Sequence, residues 1–210
     1  QRYWVDVAKP RATAALRPLI DKMTKSPLLK DLLFETEFSL DALPFLADHR
    51  VYGAVVSPGA CQLALTLNAA TLALRQEQEL QVTDIIWPQP LVISAEKKQT
   101  VQALLRPEAV NGHGPHYSVQ LISFAADEAV SSETTTTTHL TATVMVAAAP
   151  SPSVIDLAAL RQHCTQSLDV AAFYKGLAAT QIELGSSFRW IQALWCSPQP
   201  TTNEIGRASC

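Results

Sequence analysis

The sequence predicts an α+β domain in which an antiparallel sheet wraps around one buried helix. Residues 59–74 contain no charge, and Leu63, Leu65, Leu67, Ala69, Leu72 and Leu74 place apolar groups all round the predicted helix. A helix without a polar face needs burial on every side. Beyond it the apolar period changes from helical to two, the signature of half-buried strands. With 48% hydrophobic residues against 17% charged, the 210-residue chain can fill a sizeable core.

The elements follow in order. Residues 1–32, with prolines at 10, 18 and 27, read as a linker and lead-in segment with short helical turns. Leu33–Leu40 reads as a strand, because Phe34, Thr36 and Phe38 alternate. Leu43–Tyr52 reads as a loop carrying His49. Ser57 suits the N-cap of the long helix, and Pro58 its first position, where a missing N–H costs nothing. Arg75-Gln76-Glu77 returns the chain to solvent. Val82–Ile93 is strand-like but interrupted by Pro88 and Pro90. Thr100–Arg106, His116–Phe124 and Thr138–Val146 each alternate and read as strands. Between them, Asn111–Pro115 reads as a turn and Ala126–Thr137 as a polar loop. Ala147–Ser153 reads as a linker. Beyond it come a short helix at Asp156–His163, an amphipathic helix at Val170–Ala179 and a strand at Phe188–Trp195.

Composition narrows the function. A net charge of −3 with no basic cluster argues against nucleic acid as a partner. Cys61, Cys164, Cys196 and Cys210 are widely spaced and form no C-x-x-C pair, which argues against a zinc site or a disulfide framework and fits a reducing cytoplasm. The uncharged run Val51–Leu74 carries Ser57, Gln62, Thr66, Asn68 and Thr71, too polar for a membrane span. No metal is expected. His113 and His116 flank a turn and read as solvated, His139 as structural, and the adjacent His163 and Cys164 do not share a helix face. Trp190 and Trp195 read as core, and Arg189 as surface or a contact for a carrier phosphate.

The most informative stretch runs from His49 to Pro58 as H-x-x-x-G-x-x-x-x-P. On spacing alone His49 reads first as an ordinary loop histidine, with Pro58 a helix starter. As a functional group it is a base whose neutral form is available near neutral pH. The helix N-terminus beside it offers free N–H groups that could hold a carbonyl oxygen and stabilise an anion formed there. Gly59 would let the backbone approach a ligand, and Gly53 would serve the loop turn.

The longer run Leu43 to Ala60 resembles the catalytic-histidine region of polyketide synthase dehydratase domains, which have a double hot-dog fold. Ser26-Pro27-Leu28-Leu29 resembles the opening of such domains, with serine where histidine is usual. Thr138–Ala142 resembles the strand ending the first hot dog, and Phe173-Tyr174 through Gly185–Arg189 the start of the second. Gln1-Arg2-Tyr3-Trp4 is similar to the linker after an acyltransferase. The resemblance implies a truncated piece of a synthase: a lead-in over 1–32, the first hot dog with His49 over 33–147, a linker over 148–155, and an incomplete second hot dog over 156–210.

The implied activity is removal of water from a 3-hydroxyacyl chain. His49 would take the α-proton, and Gly53, Pro58, Gly59, Tyr174, Gly185 and Phe188 would line the substrate. The chain would be carried on the phosphopantetheine of acyl carrier protein, with no cofactor bound directly. Acyl carrier protein, neighbouring synthase domains and a second copy of the parent would be the partners. Two positions depart from the family's pattern. Leu184 stands where tyrosine is usual, and Gln181 where glycine is usual. The family's acid is an aspartate downstream of the Gly185–Phe188 region, whereas the last aspartate here is Asp169. The chain alone is therefore expected to be inactive, and an inactive dehydratase-like scaffold or a product-template cyclase domain is the alternative.

Overall fold

The computed structural model describes residues 18–74, 79–94, 98–108, 116–125, 135–147 and 155–198. In chain order the elements are β1 (Lys22–Thr24), β2 (Leu32–Phe38), a 3-10 turn (Pro44–Asp48), β3 (His49–Val51), β4 (Ala54–Val55), α1 (Gly59–Leu74) and β5 (Leu80–Ile86). They continue with β6 (Gln99–Glu108), β7 (His116–Ala125), β8 (Thr137–Val146), α2 (Leu157–His163), β9 (Gln166–Leu168), α3 (Val170–Ala179), β10 (Ile182–Leu184), a second 3-10 turn (Ser186–Phe188) and β11 (Leu194–Cys196). The chain divides into two compact units: residues 1–46 with 55–149, and residues 47–54 with 150–210.

The first unit is built on a six-stranded antiparallel sheet in the order β1-β2-β6-β7-β8-β5. Alternation decides which side chains face inward: Phe34, Thr36 and Phe38 on β2, Val101, Ala103 and Leu105 on β6, Val119 and Leu121 on β7, Ala142 and Val144 on β8 are buried. Helix α1 packs against β5, β6, β7 and β8. The expected lead-in already contributes to this sheet. Lys22–Thr24 pairs with β2, and the buried Thr36 hydroxyl donates to the Leu19 carbonyl.

Three expectations for this unit need correction. Helix α1 is buried on one face, through Cys61, Gln62, Leu65, Thr66, Ala69 and Ala70, while Ala60, Ala64 and Leu67 are exposed. Its missing polar face is therefore not proof of burial all round, because alanine is tolerated in water. Ser57 does not cap the helix: its buried hydroxyl takes no bond from the N–H groups of the first turn and lies by the Cys61 thiol. The Pro58 carbonyl instead accepts the first helical bonds, from the Cys61 and Gln62 N–H groups, which places Pro58 itself at the cap. Strand β6 runs on through Pro107 to Glu108. Its pairing with β2 ends at Leu105, so Pro107 lacks an N–H only where no neighbour on that side needs one.

Strand β8 carries a bulge. Leu121 pairs with Leu140 but Ile122 with Thr138, leaving His139 as the extra residue. The bulge turns His139 inward beside Leu140, and both are buried. The ring is satisfied there. Nδ1 lies 3.2 Å from the Gln89 carbonyl and Nε2 2.7 Å from the Ser123 hydroxyl. A carbonyl only accepts, so Nδ1 holds the proton. Burial pulls this histidine's pKa below its ordinary value, against the Gln89 and Pro90 carbonyls. The structural role expected of His139 is what the geometry supplies.

The second unit is held together differently. Asp156 caps α2, accepting from the Ala158 and Ala159 N–H groups at 2.9 and 3.0 Å, and Asp169 caps α3 through Ala171 at 2.8 Å. Strands β9 and β11 pair, and the Arg161 guanidinium sits 3.4 Å from the centre of the Trp195 ring. Of the strand expected over 188–195, only Leu194 and Trp195 find a partner, in a strand that runs on to Cys196. Trp190 is 76% exposed and Trp195 38% exposed, so neither fills a core as expected.

Candidate functional site

His49 lies on a strand and not in the expected loop. Strand β3 is three residues long and pairs with β10, which is far away in sequence: His49 faces Leu184, Arg50 faces Glu183 and Val51 faces Ile182. Side chains alternate along strands, so His49 and Leu184 share one face and Arg50 and Glu183 the other. The usual tyrosine would thus stand directly beside the histidine, and here that neighbour is apolar.

The β3–β4 connection is a two-residue turn. Tyr52 has φ +51° and Gly53 φ +78°, the left-handed pair that a type I′ hairpin requires. Glycine adopts this without strain, which is the turn role expected of Gly53. The Tyr52 N–H donates to the Gln181 carbonyl at 2.9 Å, and Arg50 donates to the Gly53 carbonyl at 3.2 Å.

Asp48, just before the histidine, anchors the segment that follows β10. Its carbonyl accepts the Gly185 N–H at 2.7 Å. Its carboxylate accepts the Ser187 N–H at 2.8 Å and the Ser186 hydroxyl at 3.2 Å. The Ser187 N–H above all, with its hydroxyl, Ser186 and the charge of Arg189, holds this carboxyl below its ordinary range. Gly185 is where this contact is closest: a Cβ there would lie 2.2 Å from Asp48 Oδ1. The missing side chain of Gly185 thus admits the carboxylate.

Phe188 closes the group. Its ring meets the His49 imidazole edge-to-face, with centroids 5.4 Å apart at 63°, and stacks on Trp190 at 6.0 Å. Tyr174 stands on α3. Its hydroxyl accepts the Ile191 N–H at 3.1 Å, and its ring lies 5.4 Å from the Arg189 guanidinium. Arg189 is exposed, as expected of a surface charge, and donates to the Leu184 carbonyl at 2.6 Å. The geometry gathers His49, Gly53, Tyr174, Gly185 and Phe188 in one unit. Pro58 and Gly59 belong to the other, where a Cβ on Gly59 would lie 3.2 Å from the Trp87 ring. The space left by Gly59 is taken by that indole.

Sequence reasoning missed Asp48, Ser186 and Ser187. The available signal was a carboxylate beside the histidine and a short Gly-Ser-Ser turn with N–H groups to satisfy, but nothing in the sequence joins two segments so far apart. Among the described residues no group of three or more His, Cys, Asp and Glu side chains could hold a metal ion, and His113 lies outside them. Among them, too, no helix is long and apolar enough to cross a membrane.

Residues 17–124 match the family described as polyketide synthase dehydratase domain, and residues 154–205 match polyketide synthase dehydratase N-terminal domain. The chain is similar to the polyketide synthase PksN of Bacillus subtilis, 26% identical over 98% of this chain and 4% of that protein. Among solved structures it is similar to the dehydratase domain from the CurJ module of curacin polyketide synthase, with a TM-score of 0.74 and 40% identity. That match covers 86% of this chain and 58% of the other. An inactive histidine-to-phenylalanine mutant of the CurJ dehydratase, solved with a bound compound, matches at a TM-score of 0.74 and 38% identity, over 87% of this chain and 59% of that one. The chain thus spans well under two thirds of the proteins it resembles.

Proposed function

This chain belongs to the polyketide synthase dehydratase domains and has their hot-dog fold, and from that premise we propose that it supplies the basic half of a dehydratase site. The substrate is a 3-hydroxyacyl thioester on the phosphopantetheine of acyl carrier protein. His49 takes the proton from the α-carbon. The α-carbon electron pair forms the α,β double bond as the β-carbon–oxygen bond breaks. The departing hydroxyl accepts a proton from a carboxylic acid and leaves as water, giving an enoyl thioester. Two groups of different proton affinity thus act on one substrate, and no cofactor is required.

The observation that carries this reading is the pairing of the histidine strand with β10, which brings His49 beside Leu184 and Phe188. The CurJ dehydratase with a histidine changed to phenylalanine is inactive, which supports a histidine as the essential base in a relative. Tyr174, Gly185 and Phe188, with Gly53 of the motif, are the residues proposed to line the acyl chain. The relatives are multidomain synthases, and neighbouring synthase domains, acyl carrier protein and a second copy of the parent are the proposed partners.

The test offers a 3-hydroxyacyl thioester on acyl carrier protein to the synthase dehydratase that carries this chain, and follows the loss of water by mass spectrometry. His49→Ala is expected to lower turnover by about 10²-fold or more, the scale of a general base. Turnover that His49→Ala leaves unchanged removes the base assignment. The 210-residue chain by itself is expected to give no product, since no aspartate follows Asp169. Turnover by it would place the acid among its own carboxylates.

A further inference from the structure

We infer that Asp48 is a positioning residue for His49. It makes hydrogen bonds to three consecutive residues, through its carbonyl to the Gly185 N–H and through its carboxylate to the Ser186 hydroxyl and the Ser187 N–H. The next residue along that turn is Phe188, whose ring rests edge-on against the imidazole. The next residue after Asp48 is His49 itself. One side chain therefore fixes both ends of the contact: it seats the turn that carries Phe188 and marks where the histidine strand begins.

The arrangement leaves no slack. Gly185 has no side chain, and a methyl group in its place would collide with Asp48 Cγ at 2.3 Å as well as with Oδ1. The 3-10 turn Ser186–Phe188 has no side-chain cap from its own first residue, Gly185. The Asp48 carboxylate accepts the Ser187 N–H of that turn, at a distance of 139 residues along the chain. A carboxylate accepts two such bonds in good geometry, which neither alanine nor a neutral apolar group can do. Asp48 is engaged with the turn, so its effect on the reaction passes through the orientation of the ring.

The inference rests on the reading of His49 as the base, and the experiment separates the two by reading ring geometry and not turnover. Proton spectra of the whole chain, with the His49 ring signals identified from their loss in His49→Gln, show how far Phe188 displaces them. Phe188→Leu gives the size of that ring-current shift. Asp48→Ala is expected to abolish the same shift while the amide pattern of β6, β7 and β8 stays in place. Gly185→Ala, whose methyl must displace the carboxylate, is expected to do likewise, and decides the matter where Asp48→Ala loses the amide pattern of α3. Asp48→Asn, which retains one accepting oxygen, is expected to keep part of the shift. A full Phe188-dependent shift in folded Asp48→Ala or folded Gly185→Ala overturns the positioning role. Loss of the shift together with full turnover in His49→Ala would leave the positioning intact and remove the function.

Discussion

The two units keep their shape by different means. In the first, Phe34, Phe38, Leu65, Leu121, Leu140 and their neighbours are closed away from water between sheet and helix. In the second, no described residue is fully buried, and order comes from directional contacts: two aspartate caps, an arginine over a tryptophan, and Asp48 against the 185–187 turn. Burial is non-directional and collective, so in the first unit the loss of one contact is shared among many neighbours. Directional bonds fail singly, so each of those in the second unit matters on its own.

The largest effect that can break this comparison is in the core. Leu65→Ala is expected to cost the first unit about 3 kcal/mol, since it opens a cavity among fully buried side chains. Phe173→Ala, at a site 40% exposed on α3, is expected to cost the second unit about 1 kcal/mol. Hydrogen exchange of β7 and α3 amides reads the two units separately. Equal costs would mean that the second unit has a core of its own.

Next in size is a sensitivity of the first unit to mild acid. His139 has a folded pKa below its unfolded value. Its neutral ring fits fully above about pH 6.5, the ordinary histidine value, and stability falls as the pH drops below that toward the folded pKa. Urea titrations between neutral and mildly acidic pH are expected to show this slope in the wild type and a shallower one in His139→Gln. Equal slopes would mean that burial does not govern this ring.

The smallest effect lies in the second unit and has the opposite sign. Gln181, just past the end of α3, sits at φ +65°, where glycine is the favoured residue. Gln181→Gly is expected to stabilise the unit by about 1 kcal/mol in thermal unfolding, because it relieves a left-handed side chain. A loss of stability would show that the Gln181 side chain compensates for its backbone.

The same contrast explains what could be read from the sequence. Strands β6, β7 and β8 were legible because long alternation writes burial into the order of residues. His139 was legible as structural, but its inward turn was not, since a bulge leaves no composition signal. The second unit was legible at its helices, read as Asp156–His163 and Val170–Ala179, though not at the aspartate caps that start them. Its aromatic stretch 188–195 imitated a strand, because aromatic residues favour sheets whether or not a partner strand is near. The residues of the proposed site were picked out by the motif for His49 and Gly53, and by the family resemblance for Tyr174, Gly185 and Phe188. The strand under His49 was not, because three residues paired across so long an interval leave no local trace.

The two-residue Tyr52–Gly53 turn has one more consequence. The interval from His49 to Gly53 works as a ruler: a three-residue strand and then the first turn residue. Strand side chains change face at every step, so one residue added or removed there would swap the imidazole with the guanidinium of Arg50. The histidine would then look out from the side now held by Arg50 and Glu183. Four positions of spacing thus encode a direction, and the motif states which way an imidazole points as well as where it stands in the chain.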